Sequence, residues 1–193
     1  MRKIVIATHN EHKLREYQVM FEHLKFEVFS LNDFPCDAIP ETEETFFDNA
    51  KLKAKAVKNE TDYMVLADDS GLIVEALDGL PGVHSKRFSE TETDAANNEK
   101  LLDLMRNEYD RSARFVTAVC VIDEDGTTHR FEGELHGYIH TACVGEEGFG
   151  YDPLFIPVGY TKTLAELGMD VKNKISHRAR CLQKVIDYLD TTT

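Results

Sequence analysis

The run Lys3-Ile4-Val5-Ile6-Ala7-Thr8 is short and apolar, which predicts a buried strand near the start of the chain. The residues that follow place apolar side chains at helical spacing, so an amphipathic helix is expected over residues 10–24. Its apolar stripe consists of Leu14, Tyr17, Phe21 and Leu24. A strand that passes directly into a helix is the first step of an alternating α/β pattern.

The alternation continues through the first half of the chain. The predicted strands cover residues 26–31, 63–67 and 72–76. One predicted helix begins at Thr45, and another spans residues 94–107. Thr45 can cap the backbone while Asp48 complements the dipole of the second helix. The apolar positions of these two helices are Phe46, Ala50, Ala54 and Val57 in one, and Leu101, Leu104 and Met105 in the other.

A hairpin and a last helix follow. Residues 114–123 and 128–140 flank Asp123-Glu124-Asp125-Gly126, and Asp-Gly supplies the positive φ that tight turns need. Ser176 caps a helix whose stripe is Ala179, Leu182, Val185, Ile186 and Leu189. Together these elements predict an α/β fold with a mixed central sheet flanked by helices. Residues 1–193 are expected to form a single two-lobed domain with the active-site cleft between its lobes.

Charge and composition exclude several classes of protein. Thirty-five Asp and Glu residues against 22 Lys and Arg give the 193 residues a net charge of −13, which disfavours nucleic acid and anionic membranes as partners. No apolar run is long enough to span a bilayer or to serve as a secretory signal. The cysteines are scattered, at positions 36, 120, 143 and 181. This pattern is typical of reduced, mostly buried thiols and predicts a cytoplasmic location.

The segment Thr8-His9-Asn10-Glu11-His12-Lys13 joins the first predicted strand to the first predicted helix. Such a junction directs backbone N–H groups and the positive end of the helix dipole at whatever lies above it, and Lys13 can reach the same place. One interpretation is a phosphate-binding loop without the glycines of a P-loop. The other is an ordinary capped helix with a solvated lysine, which this segment taken alone favours.

Asp68 and Asp69 follow an apolar strand, where burying two adjacent carboxylates is costly without a cation or hydrogen bonds. Clustered oxygen ligands suit Mg²⁺, which keeps waters and bridges carboxylates to substrate phosphates. A β-turn, with Asp capping backbone groups and Gly71 at positive φ, is an equal alternative. A second acidic cluster, Glu41, Glu43 and Glu44, is more typical of a solvated loop.

Two later segments carry groups suited to a flat anionic ligand. In Gly148-Phe149-Gly150-Tyr151-Asp152-Pro153, Phe149 can stack on a base or can instead fold into the core. The segment Lys172-Asn173-Lys174-Ile175-Ser176-His177-Arg178 is predicted to open the last helix. Cations at a helix N-terminus oppose the dipole, which indicates an anionic or carbonyl-bearing ligand; the alternative for His177 is a surface histidine.

Taken together and in this order, six segments make the chain similar to the inosine triphosphate pyrophosphatase family, from Ile6 to Leu189. The combination is specific, although each segment alone is not. The six segments are Ala7-Thr8-x-Asn10-x-x-Lys13-x-x-Glu16, Thr45-Phe46-x-x-Asn49-Ala50 with Lys53-Ala54, Ala67-Asp68-Asp69-Ser70-Gly71-Leu72, Pro81-Gly82-Val83-x-Ser85-x-Arg87-Phe88, Gly148-Phe149-Gly150-Tyr151-Asp152-Pro153-Leu154-Phe155 and Ile175-Ser176-His177-Arg178-Ala179.

The resemblance implies a role for each segment. It makes residues 8–13 the triphosphate loop, with Lys13 stabilising the leaving group, and makes Asp69 the proton acceptor. Asp69 and Glu41 are the implied ligands of Mg²⁺, although Glu44-Thr45 also aligns with the upstream glutamate motif of the family. The implied substrate contacts are Thr8, His9, Asn10, Glu11, His12, Lys13, Ser70, Phe149, Gly150, Tyr151, Asp152, Lys172, His177 and Arg178. His9 and Lys86 depart from the small residues usual in the family.

The implied activity is hydrolysis of ITP, dITP or XTP to the nucleoside monophosphate and pyrophosphate by a homodimer. Two other classes of protein stay open at this point. One is a metal-dependent phosphohydrolase of another type, but the chain contains neither a P-loop motif nor a Nudix helix motif. The other is a non-catalytic purine nucleotide sensor on the same scaffold, against which the presence of Asp69 and Lys13 speaks.

Overall fold

The computed structural model describes residues 2–22, 24, 26–34 and 39–191, so that Cys36 lies outside the described residues. The strands are β1 Arg2–Ile6, β2 Phe26–Ser30, β3 Met64–Val74, β4 Ser112–Ile122, β5 Thr128–Ile139 and β6 Phe155–Pro157. The helices are α1 Glu11–Phe21, α2 Phe46–Lys58, α3 Asp94–Leu104, α4 Leu164–Leu167, α5 Met169–Ile175 and α6 His177–Thr191. Among the described residues, no helix is long and apolar enough to cross a membrane.

The strands form one six-stranded sheet in the order β2-β1-β3-β4-β5-β6. Strand β1 pairs in parallel with both of its neighbours, with Ile4 opposite Val28 of β2 and Met64 of β3. Strand β6 pairs antiparallel with β5, where Ile156 lies opposite Tyr138. Parallel and antiparallel pairs in one sheet confirm the predicted mixed α/β fold.

The chain divides into two compact units. The first consists of Met1–Asp69, Thr117–Glu132 and Cys181–Thr193, and the second of Ser70–Val116 and Gly133–Arg180. The expected single domain with a cleft between two lobes stays a prediction.

In the first unit, alternate strand residues contribute to two apolar clusters. Ile4 and Ile6 of β1 pack with residues of α1 and α6, whereas Val5 packs with residues of α2. Successive side chains of a strand point to opposite faces, so α2 covers one face of these strands and α1 and α6 cover the other. Burial on both faces explains why β1 is a continuous apolar run rather than an alternating one.

The second unit has a core of its own, built from β3 residues Leu72 and Val74, from α3, and from Tyr151 and Phe155. The apolar stripe of α3 consists of Leu101 and Met105, which are fully buried. The prediction for Leu104 is wrong, since its side chain is 43% exposed. At about 100° per residue, Leu104 lies well to the side of a stripe centred on Leu101 and Met105.

The late hairpin and the helix caps at Thr45 and Ser176 are confirmed. Gly126 has φ +88°, and the backbone N–H of Asp123 donates to the carbonyl of Thr127 at 2.9 Å. Thr45 and Ser176 accept from the backbone N–H groups of Asp48 and Ala179 at the starts of α2 and α6. Asn10 caps α1 in the same way.

The predicted break at residues 68–71 is wrong. Instead of two strands joined by a turn, Met64–Val74 is one strand of eleven residues that contains Asp68-Asp69-Ser70-Gly71. The β-turn interpretation therefore fails. Polar partners on neighbouring helices satisfy the two carboxylates, so the strand continues through them.

The segment 172–178 does not open a single helix as predicted. It spans the end of α5 and the start of α6, and Ser176, in extended conformation, separates the two helices. Lys172 and Lys174 lie in the last turn of α5, where a cation complements the helix dipole. The predicted opposition to the dipole therefore applies to His177 and Arg178 and is wrong for Lys172 and Lys174.

Candidate active site

The β1–α1 junction carries the predicted triphosphate loop. The side chain of Asn10 accepts hydrogen bonds from the backbone N–H groups of His12 and Lys13, at 3.0 and 3.2 Å. The N–H of Asn10 donates in turn to Thr8 Oγ1 at 3.1 Å. These bonds hold the junction in one conformation, from which the side chain of His9 is exposed.

Glu11 and His12, the other two residues of the predicted loop, are exposed on the first turn of α1. Lys13 differs from them, because its ammonium group lies 2.9 Å from Asp68 Oδ2 and most of its side chain is buried. The interpretation of Lys13 as a solvated lysine is therefore wrong. The chain places this cation against a buried carboxylate.

Asp68 and Asp69 are 1% and 4% exposed, yet they have different partners. As consecutive strand residues they point to opposite faces of the sheet. Asp68 pairs with Lys13 of α1, whereas Asp69 Oδ2 accepts a hydrogen bond from Asn49 Nδ2 of α2 at 3.0 Å. Helices on the two faces of the strand thus stabilise one carboxylate each.

Asn49 connects Asp69 to the acidic segment that precedes α2. Its amide nitrogen also donates to the carbonyl of Glu43 at 3.3 Å, and its amide oxygen accepts from the N–H of Glu43 at 2.9 Å. With 1% exposure, Asn49 is as buried as the carboxylate that it contacts. One side chain therefore fixes both the segment and the position of Asp69.

Lys53 lies one turn after Asn49 on α2, and its ammonium group contacts Glu41 Oε1 at 2.6 Å. Burial alone would lower the pKa of Lys53, but the negative charges of Asp68, Glu41 and Asp69 raise it above its usual value. Burial would likewise raise the pKa of Glu41, and the charge and hydrogen bond of Lys53 bring it below the ordinary range. Lys53 and Glu41 therefore form an ion pair.

Asp69 behaves differently from Glu41. Burial is the main reason that its pKa is raised to about 6, and the negative charges of Glu41 and Asp68 add to the effect. The charges of Lys53 and Lys13 oppose the shift without cancelling it. A carboxylate with a pKa near 6 is ionised at neutral pH and accepts a proton more readily than an ordinary aspartate.

Asn49 and Lys53 contact the candidate carboxylates Asp69 and Glu41, but the sequence analysis did not assign them to the site. Both are present in the segment Thr45-Phe46-x-x-Asn49-Ala50 with Lys53-Ala54, but polar residues on a helix are usually solvated. Their spacing of four residues was the available signal, because residues i and i+4 lie on one face of a helix. The carboxylates that this face contacts become evident only in the folded chain.

The oxygen-rich environment of Asp69 bears on the predicted Mg²⁺. Over the described parts of the chain, no three or more His, Cys, Asp or Glu side chains form a group that could hold a metal ion. A dedicated cage is not required, because Mg²⁺ is usually bound by one or two carboxylates, waters and substrate phosphates. Asp69 and Glu41 have the right donor chemistry, and the repulsion between their charges would favour a cation.

In the second unit, residues 148–152 form a tight turn, here called the glycine loop. Gly148 and Gly150 have φ of +82° and +62°, which favours glycine at both positions. A Cβ on Gly148 would also collide with the carboxylate of Asp152. That carboxylate accepts a hydrogen bond from the N–H of Phe149 at 3.1 Å, so the loop closes on itself.

Lys172 and Asp152 form a buried ion pair beside Phe149. Their side chains are 2.6 Å apart, and each residue is 3% exposed. The ammonium group also lies 4.0 Å from the centroid of the Phe149 ring, within range for a cation–π interaction. The structure therefore brings together three of the predicted substrate contacts in the second unit.

Tyr151 is directed elsewhere. Its ring belongs to the core of the second unit, and its hydroxyl donates to the carbonyl of Ser85 at 2.6 Å. Burial raises the pKa of this hydroxyl well above its usual value. Ser85 Oγ accepts in turn from the N–H of Leu72 and donates to the carbonyl of Gly82. The side chain of Tyr151 thus anchors the glycine loop to the backbone of Ser85.

His177 and Arg178 open α6 with buried side chains, 5% and 1% exposed. The imidazole of His177 stacks on Phe115 with ring centroids 4.9 Å apart, so the surface alternative for this histidine is wrong. A guanidinium nitrogen of Arg178 lies 3.4 Å from Ser70 Oγ, a long contact that nevertheless places two predicted substrate-binding residues side by side. Burying a guanidinium is costly, which favours a functional role.

These features define a class of protein: an α/β chain with a mixed sheet, a buried carboxylate pair held by lysine and asparagine, and a glycine loop beside a buried ion pair. The model of the Ham1 family matches residues 4–188, and the chain belongs to that family. This match confirms the resemblance found in the sequence.

Similar proteins and solved structures agree with this family assignment. The chain is 49% identical to a dITP/XTP pyrophosphatase of Exiguobacterium sp., covering 95% of this chain and 94% of the relative. It is 45% identical to a dITP/XTP pyrophosphatase of Porphyromonas gingivalis, with 98% of each covered. The Staphylococcus aureus Ham1 protein superposes with a TM-score of 0.92 at 38% identity, and 100% of both chains is covered. A HAM1 protein from Coxiella burnetii superposes with a TM-score of 0.93 at 35% identity, and 99% of this chain and 100% of that chain are covered.

Proposed function

We propose that this chain hydrolyses ITP, dITP and XTP to the nucleoside monophosphate and pyrophosphate, and so removes these nucleotides from the cellular pool. The names of its relatives, which are dITP/XTP pyrophosphatases, support the activity. The observation in the structure that carries it is the buried pair Asp68–Asp69, of which one member is paired with a lysine and the other has a pKa raised to about 6.

Asp69 is the proposed general base. With no metal bound, burial raises the pKa of Asp69 to about 6, so the carboxylate is ionised at neutral pH and is more basic than an exposed aspartate. The hydrogen bond from Asn49 fixes the carboxylate on one side. Asp69 takes the proton of the attacking water, and the hydrogen bond from Asn49 holds the carboxylate in one orientation for this transfer.

Lys13 is the proposed phosphate-binding cation. Its ion pair with Asp68 orients the ammonium group, and the N-terminus of α1 adds the positive end of a helix dipole. The side chain of His9 is exposed at the same junction. In this proposal the triphosphate is surrounded by the residues of the junction, Thr8, His9, Asn10, Glu11, His12 and Lys13. Lys13 stabilises negative charge on the leaving pyrophosphate.

The proposed divalent ion is Mg²⁺, held by Asp69 and Glu41. When bound, the ion would neutralise charge on the phosphates and on the leaving group. The ion pair with Lys53 keeps Glu41 ionised and therefore able to act as a ligand. Lys53 and Lys13 limit the repulsion among the carboxylates while the ion is absent.

The second unit supplies the proposed contacts to the base and sugar. Phe149 stacks on the purine, and Lys172, His177 and Arg178 donate hydrogen bonds to its 6-oxo group. Asp152 holds Lys172 beside the ring, and Ser70, next to Arg178, contacts the substrate. Adenine carries a 6-amino donor in place of this acceptor, so it cannot accept these hydrogen bonds, and each bond lost costs roughly 1–3 kcal/mol.

We also propose a homodimer in the cytoplasm. The buried thiols of Cys120 and Cys181 suit a reducing compartment. Sedimentation velocity over a range of concentrations measures the oligomeric state directly. A species of twice the mass of the chain is the expected result, and a monomer at every concentration would contradict the dimer.

A product assay tests the activity. The purified chain is incubated with Mg²⁺ and, in separate reactions, ITP, XTP, dITP, GTP and ATP, and the products are separated by chromatography. The expected products from the first three are monophosphate and pyrophosphate in equal amounts, with much slower reactions for ATP. Release of orthophosphate and a diphosphate would mean cleavage at the wrong bond, and nucleotide binding without products would indicate a sensor.

A further inference from the structure

Both backbone polar groups of Gly150 are bonded to side chains of α3. The N–H donates to Asp94 Oδ2 at 2.8 Å, and the carbonyl accepts from Asn98 Nδ2 at 2.9 Å. Asp94 and Asn98 are four residues apart and therefore lie on the same face of the helix. This pair of side chains is called the α3 clamp below.

The clamp acts on the part of the loop that has the greatest conformational freedom. Gly148 and Gly150 flank Phe149, and both adopt positive φ. Two such glycines lose more backbone entropy on ordering than other residues, so bonds are needed to fix the turn. The N–H of Phe149 is held by Asp152, and the N–H and carbonyl of the next residue are held by the clamp.

We propose that Asp94 and Asn98 are positioning residues for the purine base, which act through Gly150 to hold Phe149 in its stacking orientation. The inference rests on the role of Phe149 in the proposed function. It also revises the role of Gly150, whose N–H and carbonyl are engaged with α3 and so anchor the loop, leaving base recognition to its neighbours.

Asp94 complements the dipole of α3 in its first turn, but other residues cap the helix and tie it to the preceding segment. Thr93 caps the helix, with Oγ1 accepting from the N–H of Ala96 at 3.2 Å. Asn97 ties the helix to the preceding segment, accepting from the N–H of Ser89 at 2.8 Å and donating to the carbonyl of Lys86 at 3.0 Å. Asn98, although only 5% exposed, directs its amide nitrogen at the loop.

The first measurement does not depend on catalysis. The chain contains no tryptophan and seven tyrosines, so Phe149→Trp introduces one tryptophan, which can be excited selectively, at the ring that the clamp is proposed to hold. Time-resolved anisotropy is recorded for this reporter alone and combined with Asp94→Ala, Asp94→Asn, Asn98→Ala or Thr93→Ala. We expect faster local depolarisation in the two clamp-to-alanine variants. Asp94→Asn retains an oxygen that accepts from Gly150 and is expected to match the reporter alone.

Thr93→Ala is the matched control, since it weakens the start of α3 without removing a bond to Gly150. Equal depolarisation in Thr93→Ala and Asp94→Ala would overturn the proposal in favour of a general effect on helix stability. Amide hydrogen exchange at Gly150 is also measured in the unaltered protein. This measurement needs no variant, so misfolding cannot affect it. Slow exchange is expected, and exchange as fast as in an unfolded peptide would overturn the clamp.

The second measurement is kinetic and uses the chain with Phe149 intact. Asp94→Ala and Asn98→Ala are each expected to raise KM for ITP about tenfold, with kcat changed by less than about threefold, because stacking contributes to binding rather than to the chemical step. Asp94→Asn and Thr93→Ala should leave KM near that of the parent. An unchanged KM in both alanine variants would overturn the positioning role. If the parent itself released no pyrophosphate, the proposed function would fail, while the anisotropy would still decide whether the clamp holds residue 149.

Discussion

At the scale of single residues, the carboxylates of β3 show how adjacent side chains acquire different chemistry. Asp68 is neutralised by Lys13, whereas Asp69 has a neutral hydrogen-bond donor, Asn49, and a raised pKa. The alternation of a strand places them on opposite faces, so each contacts a different helix, although the charges of Lys13 and Lys53 both act on Asp69. A protein that needs one stable anion and one base near neutral pH can obtain both from two consecutive residues.

The raised pKa of Asp69 has a consequence for stability. The folded-state value of about 6 lies above the ordinary value, so the folded chain binds the proton more tightly than the unfolded chain does. Ionised Asp69 therefore destabilises the fold, and the penalty grows as pH rises through about 4 to 6. In the absence of metal, Asp69→Asn is expected to unfold at a higher temperature than the parent at pH 8, with a gain of about 1–3 kcal/mol.

Thermal unfolding followed by circular dichroism at pH 8 and pH 4 checks this expectation. The difference between Asp69→Asn and the parent should shrink at pH 4, where Asp69 is protonated in the folded parent. A variant that is less stable than the parent at pH 8 would show that ionised Asp69 contributes to folding.

Lys13→Ala tests the assignment of the phosphate-binding cation. The variant is expected to weaken the binding of ITP by about tenfold or more, since a charge-assisted hydrogen bond contributes roughly 1.5–3 kcal/mol. Inosine monophosphate, which lacks the β- and γ-phosphates, should bind the variant about as well as the parent. Calorimetric titration with both ligands makes the comparison, and equal losses would place Lys13 away from the β- and γ-phosphates.

Arg178→Ala tests recognition of the 6-oxo edge. Removal of a donor should reduce the preference for ITP over ATP more than the preference for ITP over GTP, because guanine shares the 6-oxo group. Arg180→Ala is the matched control, since Arg180 is exposed and bonds to the carbonyl of Glu134. Values of kcat/KM for the three nucleotides decide the matter, and an unchanged ITP/ATP ratio in Arg178→Ala would remove Arg178 from base recognition.

At the scale of elements, β3 marks the limit of what a sequence pattern can predict. Hydrophobic runs identify its two ends, but the polar residues 68–71 resemble a turn when their partners are unknown. Lys13 and Asn49 belong to helices distant in sequence, and it is their contacts that allow the strand to continue. The division between α5 and α6 was missed for a related reason, because Ser176 caps a helix whether or not another helix precedes it.

The contribution of α2 to the candidate active site can be tested at Asn49. Asn49→Ala removes the hydrogen bond to Asp69 and both bonds to Glu43, so we expect a lower kcat and a loss of roughly 1–3 kcal/mol in the free energy of unfolding. Thr45→Ala removes the cap of the same helix, at a cost of roughly 0.5–2 kcal/mol, without touching Asp69. Denaturant unfolding and steady-state kinetics of both variants make the comparison. A similar loss of kcat in Thr45→Ala would attribute the effect to helix stability alone.

At the scale of the whole molecule, the fold class and most of the elements were predictable, whereas β6, α4, α5 and the order of the strands were not. Apolar periodicity and the Asp-Gly turn identify the elements from local sequence. The central position of β3 and β4 in the sheet depends on which faces the helices cover, and that information is not local. The residues of the carboxylate pair and the glycine loop were predicted through the family resemblance, while Asn49, Lys53 and the α3 clamp required the structure.

The net charge of −13 also belongs to this scale. A strongly acidic chain that binds a triphosphate needs cations concentrated where the phosphates lie. Lys13 and Lys53 are such cations, and both are held against carboxylates in the first unit. The overall charge disfavours polyanions such as duplex DNA as partners, whereas the lysines held in the first unit provide local positive charge for a small substrate.

The most direct test of the account is the rate of pyrophosphate release from ITP by the intact chain and by Asp69→Asn, measured with Mg²⁺ under saturating substrate. The substitution keeps the size of the side chain and removes its charge and its capacity to accept a proton. The account predicts a loss of roughly 10²-fold or more in kcat, in line with the loss of a general base, with the fold retained by circular dichroism. Turnover by Asp69→Asn at close to the parent rate would contradict it.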